Sequence, residues 1–274
     1  MDHGEREKII SLSLEGKIAL SKNIIRDALL RFGHEKSAIS WTGGKDSTLM
    51  LWLFRSVCAD LSITLPGCMF IDEGDVFEEI RDHVTNLTDL WNLDLTVIKN
   101  ADVLGRVRSL GDIIPVEQLS ERNRQELLAI GFEGTEFAFD PESYAGNHLM
   151  KTVPMKMFLE ENPVDALATA IRWDEQEARI HEDPVSPRKN PDHFRIHPIL
   201  HFRERDVWST IHEFGIPFCS LYTQGYRSLG AQHSTHKSSD IPAWEQDLEN
   251  TVERSGRGQG KEAIMEKLRE LGYM

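Results

Sequence analysis

Apolar residues recur every three to four positions near the start of the chain, a spacing typical of an amphipathic helix. Ile9, Leu14, Ile18 and Ile25 belong to this pattern, which predicts one long helix over residues 5–32. Gly33 then interrupts the pattern, as glycine commonly does just beyond the last turn of a helix.

Short apolar runs and helical patterns alternate over the rest of the chain. The runs predict strands over residues 38–41, 66–71, 93–98, 164–170 and 194–199. Helical patterns are found over residues 47–54, 76–91, 148–159 and 204–214. This alternation predicts an α/β fold, a parallel Rossmann-like sheet with helices on both faces. Ligands bind at the carboxyl ends of the strands in such sheets, so the loops that follow the strands are candidate site residues.

The remaining segments are less regular. The pattern predicts helices over residues 117–130 and 174–180. It also predicts a mobile loop near the site over residues 131–147 and a proline-containing loop over residues 184–191. The tail from residue 241 predicts helix, with a glycine-rich turn over 255–260. We therefore expect an N-terminal helix (1–35), a nucleotide-binding domain (36–235) and an irregular helical tail (236–274).

Charge and cysteine usage narrow the classes of function. The chain has 31 Lys and Arg against 45 Asp and Glu, a net charge of −14. Such an acidic chain argues against nucleic-acid binding, which needs a basic face, but a local cationic cluster still permits a small anionic substrate. No apolar run approaches the length of a membrane span, and we expect a cytoplasmic protein. Cys58, Cys68 and Cys219 form no Cys-x-x-Cys pair, which fits a reducing compartment.

A glycine-rich turn joins the first predicted strand to the next predicted helix; we call residues 40–47 the glycine loop. Glycines let the backbone turn sharply and approach a ligand, and the free N–H groups of a helix start attract anions. The pattern differs from the P-loop, which has four residues between its first glycine and Gly-Lys-Ser/Thr. The candidate ligand-binding residues here are Ser40, Thr42, Gly43, Gly44, Lys45, Asp46 and Ser47.

Charged residues follow two other strands. Gly74 lets the backbone approach a ribose or adenine edge, while Asp72 can accept from a hydroxyl or hold Mg²⁺ through water; the alternative is an ordinary acidic turn. Arg172 ends the fourth strand, and its forked donors suit phosphate or sulfate. The alternative for Arg172 is a surface ion pair with Asp174 or Glu175.

The glycine loop resembles the pyrophosphate-binding loop, Ser/Thr-Gly-Gly-x-Asp-Ser, of the adenine-nucleotide alpha-hydrolase-like (PP-loop) superfamily. The glycine loop and three further segments are together similar to the motifs of the phosphoadenylyl-sulfate (PAPS) reductase family. These segments are residues 72–77, 195–208 and 216–230. This resemblance implies that ATP is split between its α and β phosphates, with Mg²⁺. Asp46 and Asp72 are then the candidate metal ligands, since Asp46 would repel phosphate unless it held a metal or oriented the loop.

The cysteines separate the branches of this family. In its iron–sulfur reductases a Cys-Cys pair precedes the Lys-x-x-Pro that resembles residues 151–154, but Gly146 and Asn147 stand there. A Gly-Cys-x-x-Cys-Thr would lie over residues 230–235, and both of its cysteines are missing. We therefore expect no iron–sulfur cluster and no reductase nucleophile. Met150-Lys151-Thr152, Arg172 and the tail 253–257 are similar to the small subunit of bacterial ATP sulfurylase.

The function that the resemblance implies is adenylyl transfer from ATP, most simply to sulfate. Lys151, Arg172 and Arg257 would neutralise the charge of the transferred group or the acceptor. A GTPase large subunit drives the resembled reaction and is a candidate partner, as is a second copy of the chain. Three alternatives stay open: adenylyl transfer to FMN, a reductase-like protein without the catalytic cysteine, and a non-catalytic nucleotide-binding module.

Overall fold

A six-stranded sheet forms the centre of the molecule, in the order β3-β2-β1-β6-β8-β7. The computed structural model describes residues 3–176 and 179–256. The strands of this sheet are β1 (Ser37–Ser40), β2 (Gly67–Ile71), β3 (Leu95–Ile98), β6 (Ala166–Ala168), β7 (Val185–Arg188) and β8 (His193–Ile196). Every pair is parallel except β7 with β8. The predicted α/β class with a mostly parallel sheet is therefore confirmed.

Alternate residues of each central strand face opposite layers of the core, as the pleat of a strand requires. Ile39 of β1 and Phe70 of β2 pack in the larger core, while their neighbours Ala38 and Met69 pack with helix α8 (Val153–Glu161). Both faces of the sheet are thus covered by helices, which is why its strands read as short apolar runs in the sequence.

The helices lie close to their predicted positions. Those around the sheet are α1 (His3–Ile10), α2 (Leu14–Phe32), α3 (Lys45–Leu61), α4 (Glu78–Trp91), α8 (Val153–Glu161) and α9 (Glu204–Phe214). The one long helix predicted over 5–32 is wrong, because it is interrupted at residues 11–13. Ser13 caps α2 by accepting a hydrogen bond from the Gly16 N–H at 3.2 Å, a local bond that favours a new helix start. None of the helices within the described ranges has the length and apolarity needed to cross a bilayer.

Residues 101–152 form a small layer beside the sheet with its own apolar core. Its elements are α5 (Ala101–Leu104), β4 (Ile113–Pro115), α6 (Glu121–Ala129), β5 (Glu136–Ala138), α7 (Tyr144–Asn147) and a π-helical turn (His148–Thr152). Val103, Leu127 and Leu149 lie in this core, each at most 1% exposed. The segment predicted as a loop over 131–147 therefore contains one strand and one short helix.

The C-terminal half differs most from the predicted elements. Strand β7 occupies part of the predicted proline-containing loop and pairs antiparallel with β8. The described residues of 174–180 form turns rather than the predicted helix. The tail is irregular up to residue 256, with short 3₁₀ turns at Ala243–Glu245 and Glu253–Gly256. We call Glu253–Gly256 the tail segment.

Candidate active site

The glycine loop connects the carboxyl end of β1 to the first turn of α3. Gly43 has φ +74°, a left-handed conformation that favours glycine. A Cβ there would stand 2.9 Å from methyl groups of Ile80 and Val84 in α4. Gly43 therefore permits both the turn itself and its close packing on α4.

Hydroxyl groups hold the loop closed. The Ser47 hydroxyl donates to the Gly44 carbonyl at 3.0 Å and accepts from the Thr42 N–H at 3.2 Å. The Lys45 N–H donates to the Tyr222 hydroxyl at 2.9 Å. The loop is thus shaped before any ligand arrives, and Tyr222, brought in from the C-terminal half, is part of its support.

A cavity of about 340 Å³ opens above the loop. Its walls come from the carboxyl ends of β1, β2, β6 and β8, as expected for a sheet with its ligand site at that edge. Polar wall residues include Ser40, Thr42, Gly44, Asp46, Ser47, Glu73, Asn147, Lys151, Thr169, Arg179, Arg195, His197, Glu253 and Arg254. Apolar wall residues include Phe70, Ile71, Val76, Ile80, Met155 and Leu229. Most predicted glycine-loop residues and Lys151 therefore share one cavity.

A buried ion-pair cluster lies beside this loop. Arg172, 0% exposed, pairs with Asp46 and Glu253 and holds Asp174 at 2.9 Å. Lys45, 1% exposed, lies 2.5 Å from Glu253 and 3.1 Å from Asp46. Burial alone would lower the pKa of Lys45 and Arg172, but the Asp46 and Glu253 carboxylates outweigh it and raise both pKa values. Both cations therefore stay charged.

The cations of the cavity wall are also paired. Lys151 lies 2.6 Å from Glu73 and 3.4 Å from Glu142. Arg254 lies 2.8 Å from Glu175, whose other oxygen pairs with Arg179. Unlike Arg172, these side chains belong to the wall of the cavity, so an anion entering it meets them directly. Arg172 lies outside that wall, and the role predicted for it stays a prediction.

A neutral histidine lies at the β8 end of the cavity. The His197 Nδ1 atom hydrogen-bonds the Thr169 hydroxyl at 2.8 Å, and the side chain is 1% exposed. Burial lowers the pKa of His197 to about 3, with the Arg195 guanidinium adding to the effect. The ring is therefore uncharged near neutral pH.

Asp72 and Gly74 lie at the β2 end but outside the cavity wall. The Asp72 carboxylate binds both terminal nitrogens of Arg81, at 2.8 and 2.9 Å, and accepts from the Gly74 N–H at 3.0 Å. Although burial opposes it, the Arg81 hydrogen bond leads the effects that lower the pKa of Asp72. The predicted contacts of Asp72 and Gly74 with ribose or metal stay predictions.

Carboxylates here do not form a ready metal cage. Within residues 3–176 and 179–256 no group of three or more His, Cys, Asp or Glu side chains is arranged to hold a metal ion. Asp46 and Asp72 are each ion-paired instead. The metal-binding role predicted for Asp46 and Asp72 stays a prediction.

The tail contributes a residue that sequence reasoning missed. In the sequence Glu253 stands out only through the similarity of residues 253–257. In the structure its carboxylate, like that of Asp46, pairs with both Lys45 and Arg172. The predicted Arg257 lies outside the described residues.

All three cysteines are buried and unpaired. Burial raises the pKa of Cys58 and Cys219 to about 11 and that of Cys68 to about 12. These thiols are held in their protonated form near neutral pH, and none lines the cavity.

The fold and the site define an α/β protein with a glycine loop at the carboxyl edge of a mostly parallel sheet. Residues 36–237 match the family model "Phosphoadenosine phosphosulfate reductase domain", and the chain belongs to that family. A phosphoadenosine 5'-phosphosulfate reductase from Xanthomonas campestris pv. campestris is 27% identical over 208 residues, 76% of this chain and 75% of that protein. A Xylella fastidiosa reductase is 27% identical over 206 residues, 75% of each chain.

Solved structures share the fold at low sequence identity. Candida glabrata FMN adenylyltransferase in complex with ATP superposes with a TM-score of 0.63 at 18% identity, covering 93% of this chain and 94% of that one. Phosphoadenylyl-sulfate reductase from Candida auris, a phosphate complex, gives a TM-score of 0.56 at 19% identity, covering 82% and 98%. The expected family and fold are therefore confirmed.

Proposed function

We propose that the protein binds ATP over the glycine loop and transfers its adenylyl group to an acceptor, releasing pyrophosphate. The observation that carries this proposal is the single cavity in which the pre-shaped loop faces the wall cations Lys151, Arg179 and Arg254. Backbone N–H groups at a helix start and cationic side chains are together the donors that a leaving pyrophosphate needs.

In this reaction an acceptor oxygen forms a bond to the α-phosphorus. The bond from that phosphorus to the bridging oxygen breaks, and the electron pair leaves with pyrophosphate. The residues of the chain position the reactants and neutralise charge rather than form covalent bonds. Mg²⁺ would enter as part of the nucleotide complex. Lys151 and Arg254 would exchange their carboxylate partners, Glu73 and Glu175, for phosphate oxygens.

Sulfate is the acceptor that we place first. The cavity lies at the lower end of the size range of ligand pockets, roughly 300–1,000 Å³, which favours a small acceptor over a large one beside a nucleotide. Buried thiols disfavour a reductase, because sulfur attack needs an accessible thiolate. The tail 253–257 adds the sequence similarity to the ATP sulfurylase small subunit.

FMN is the second candidate acceptor. The superposition on FMN adenylyltransferase extends over 93% of this chain, against 82% for the Candida auris reductase. The apolar wall residues Phe70, Met155 and Leu229 also suit a planar ring. In this case the FMN phosphate would attack the α-phosphorus in place of sulfate.

The experiment is pyrophosphate release from Mg-ATP in the presence of sulfate, FMN or neither, with inorganic pyrophosphatase added to remove the product. Release with sulfate alone supports the first acceptor, and release with FMN alone moves the assignment to FMN. Failure to release pyrophosphate with either acceptor, together with unimpaired ATP binding, would favour a non-catalytic binding module.

Two glycine variants serve as a matched pair in this assay. Gly44→Ala places a methyl group on the loop and is expected to lower turnover by about tenfold or more. Gly67→Ala, in β2, adds the same methyl group where the nearest atom is 3.8 Å away. Gly67→Ala is expected to leave turnover unchanged.

A further inference from the structure

The tail segment meets the glycine loop through one buried carboxylate. Glu253, 8% exposed, directs one oxygen to Lys45 Nζ at 2.5 Å and the other to the guanidinium of Arg172. Lys45 begins α3, Arg172 follows β6, and Glu253 is 208 residues beyond Lys45 in the chain. Glu253 therefore joins the tail to the loops that follow two neighbouring strands of the sheet, β1 and β6.

Other contacts fix the chain on either side of Glu253. The Arg227 guanidinium donates to the Leu248 and Thr251 carbonyls at 3.3 and 3.2 Å, and Glu204 holds the same guanidinium at 2.7 Å. After Glu253, the His236 N–H donates to the Gly256 carbonyl at 2.8 Å. Glu253 lies between these two fixed points and supplies the contact with the glycine loop.

The cations that hold Glu253 are already engaged by carboxylates. An ammonium group has three N–H donors. Those of Lys45 face Glu253, Asp46 at 3.1 Å and the Arg227 carbonyl at 3.3 Å. Arg172 is fully buried and directs its three nitrogens to Asp46, Asp174 and Glu253. Lys45 borders the cavity as Arg254 does, but a ligand would have to displace Glu253 and Asp46 to reach its ammonium group, and Arg172 lies outside the cavity wall.

We propose that Glu253 is a positioning residue that docks the tail segment on the glycine loop, with Lys45 and Arg172 as its tethers. Docking places Arg254 in the cavity wall, 2.8 Å from Glu175, and so completes the cationic side of the site. Lys45 then serves the tail rather than the phosphates. The docking itself is independent of the reaction, while its effect on ligand binding rests on the proposed function.

Hydrogen exchange measures the docking directly. Glu253→Gln keeps the shape of the side chain but removes the charge, and the His236 and 251–256 amides are expected to exchange about tenfold faster or more. Glu249→Gln is the matched control, because Glu249 lies in the same tail and makes an exposed ion pair with Arg205 of α9. Exchange of the β1 amides reports that both variants remain folded. Equal tail exchange in the two variants would overturn the proposal.

Coupling between the two residues provides a second test. Lys45→Met should loosen the same amides. The double variant with Glu253→Gln should exchange more slowly than the product of the two separate effects predicts, because both changes remove the same contact. Full additivity would contradict a direct tether. Glu253→Asp, which keeps the charge on a shorter side chain, should fall between the native protein and Glu253→Gln.

Ligand binding separates a positioning role from competition. The probe is the Mg²⁺ complex of an ATP analogue with a methylene bridge between its α and β phosphates. Glu253→Gln should weaken its binding several-fold, and Arg254→Gln should do so without loosening the tail. Tighter binding to Glu253→Gln would mean that Glu253 competes with phosphate, and the proposal would be wrong. If the native chain does not bind the probe while Glu253→Gln still loosens the tail, the proposed function fails and the docking role stands.

Discussion

Arg172 and Asp46 form an ion pair that connects the end of β6 to the first turn of α3. Arg172 is 0% exposed, so its guanidinium lies beside the cavity rather than in it. The sequence predicted that Arg172 would neutralise the charge of a ligand. In the structure the same side chain fixes a loop carboxylate, and its contribution to stability becomes measurable.

Arg172→Ala leaves Asp46 and Glu253 buried with too few partners. Removal of one member of a buried ion pair costs about 3–5 kcal/mol, so we expect a loss of that size in the free energy of unfolding, measured with urea. Arg205→Ala, which breaks an exposed pair with Glu249, should cost less than about 1 kcal/mol. If Arg172→Ala unfolds like the native chain but loses ligand binding, Arg172 contacts the ligand after all.

Gly43 and Gly44 should respond differently to alanine. A Cβ at Gly43 meets Ile80 and Val84 at 2.9 Å at a positive φ, and we expect Gly43→Ala to cost about 2–4 kcal/mol of stability. At Gly44 the nearest atoms are 3.4 Å away, so Gly44→Ala should cost less than about 1 kcal/mol. Thermal unfolding of the two variants measures their losses of stability. Equal losses would show that the loop is not packed on α4 as described.

The three thiols should be unreactive in the native protein. Burial raises the pKa of Cys58, Cys68 and Cys219 to about 11, 12 and 11, so thiolate is scarce near neutral pH. A disulfide reagent that releases a coloured thiol should react with all of them only in concentrated guanidinium chloride. Rapid labelling of the folded chain would reopen a reductase reaction, and substitution of the labelled cysteine by serine would then test it.

Acid should destabilise the fold through its buried histidines. His201 donates from Nε2 to the Lys17 carbonyl at 3.0 Å, and burial lowers its pKa to about 4. The unfolded chain binds the proton from about pH 6.5 downward, so this stability is complete above that pH and is lost as the pH falls toward 4. The slope for one such group is about 1.4 kcal/mol per pH unit.

His201→Gln should reduce this pH dependence, since its amide can donate to the same carbonyl without titrating. Urea unfolding at about pH 6.5 and 5 measures how much free energy of unfolding each protein loses over this range. The native protein is expected to lose about 1 kcal/mol or more beyond the loss of the variant. The pKa values of three other histidines, His83, His193 and His197, are also lowered. The stability of the native protein should therefore fall more steeply with pH than the titration of His201 alone would cause. Parallel pH profiles for the two proteins would show that His201 is not the buried group described.

The local parts of the fold could be predicted because short-range patterns determine them. The run before Gly43 is a strand buried on both faces, and the pattern after Lys45 is a helix, as the structure shows. Strand β7 was not predicted, because Pro184 and Pro187 are residues typical of a loop. At a sheet edge, however, a proline costs little, since an edge strand leaves backbone groups unpaired.

Long-range charge pairing was beyond the sequence. Nothing in the spacing of residues relates Lys45 to Glu253. The sequence predicted that Lys45 binds the anionic ligand and assigned no role to Glu253. In the structure Lys45 Nζ lies 2.5 Å from the Glu253 carboxylate. Burial decides such pairings, and burial depends on how the tail folds back over α3.

The order of the strands has a further consequence. Strand β1 lies between β2 and β6, so the chain leaves the glycine loop toward β2 and returns on its other side only after residue 160. Glu73 and Thr169, on opposite walls of the cavity, therefore belong to separate halves of the polypeptide. If the chain were divided between them, each fragment would carry half a cavity, and ligand would be retained only where the fragments reassembled.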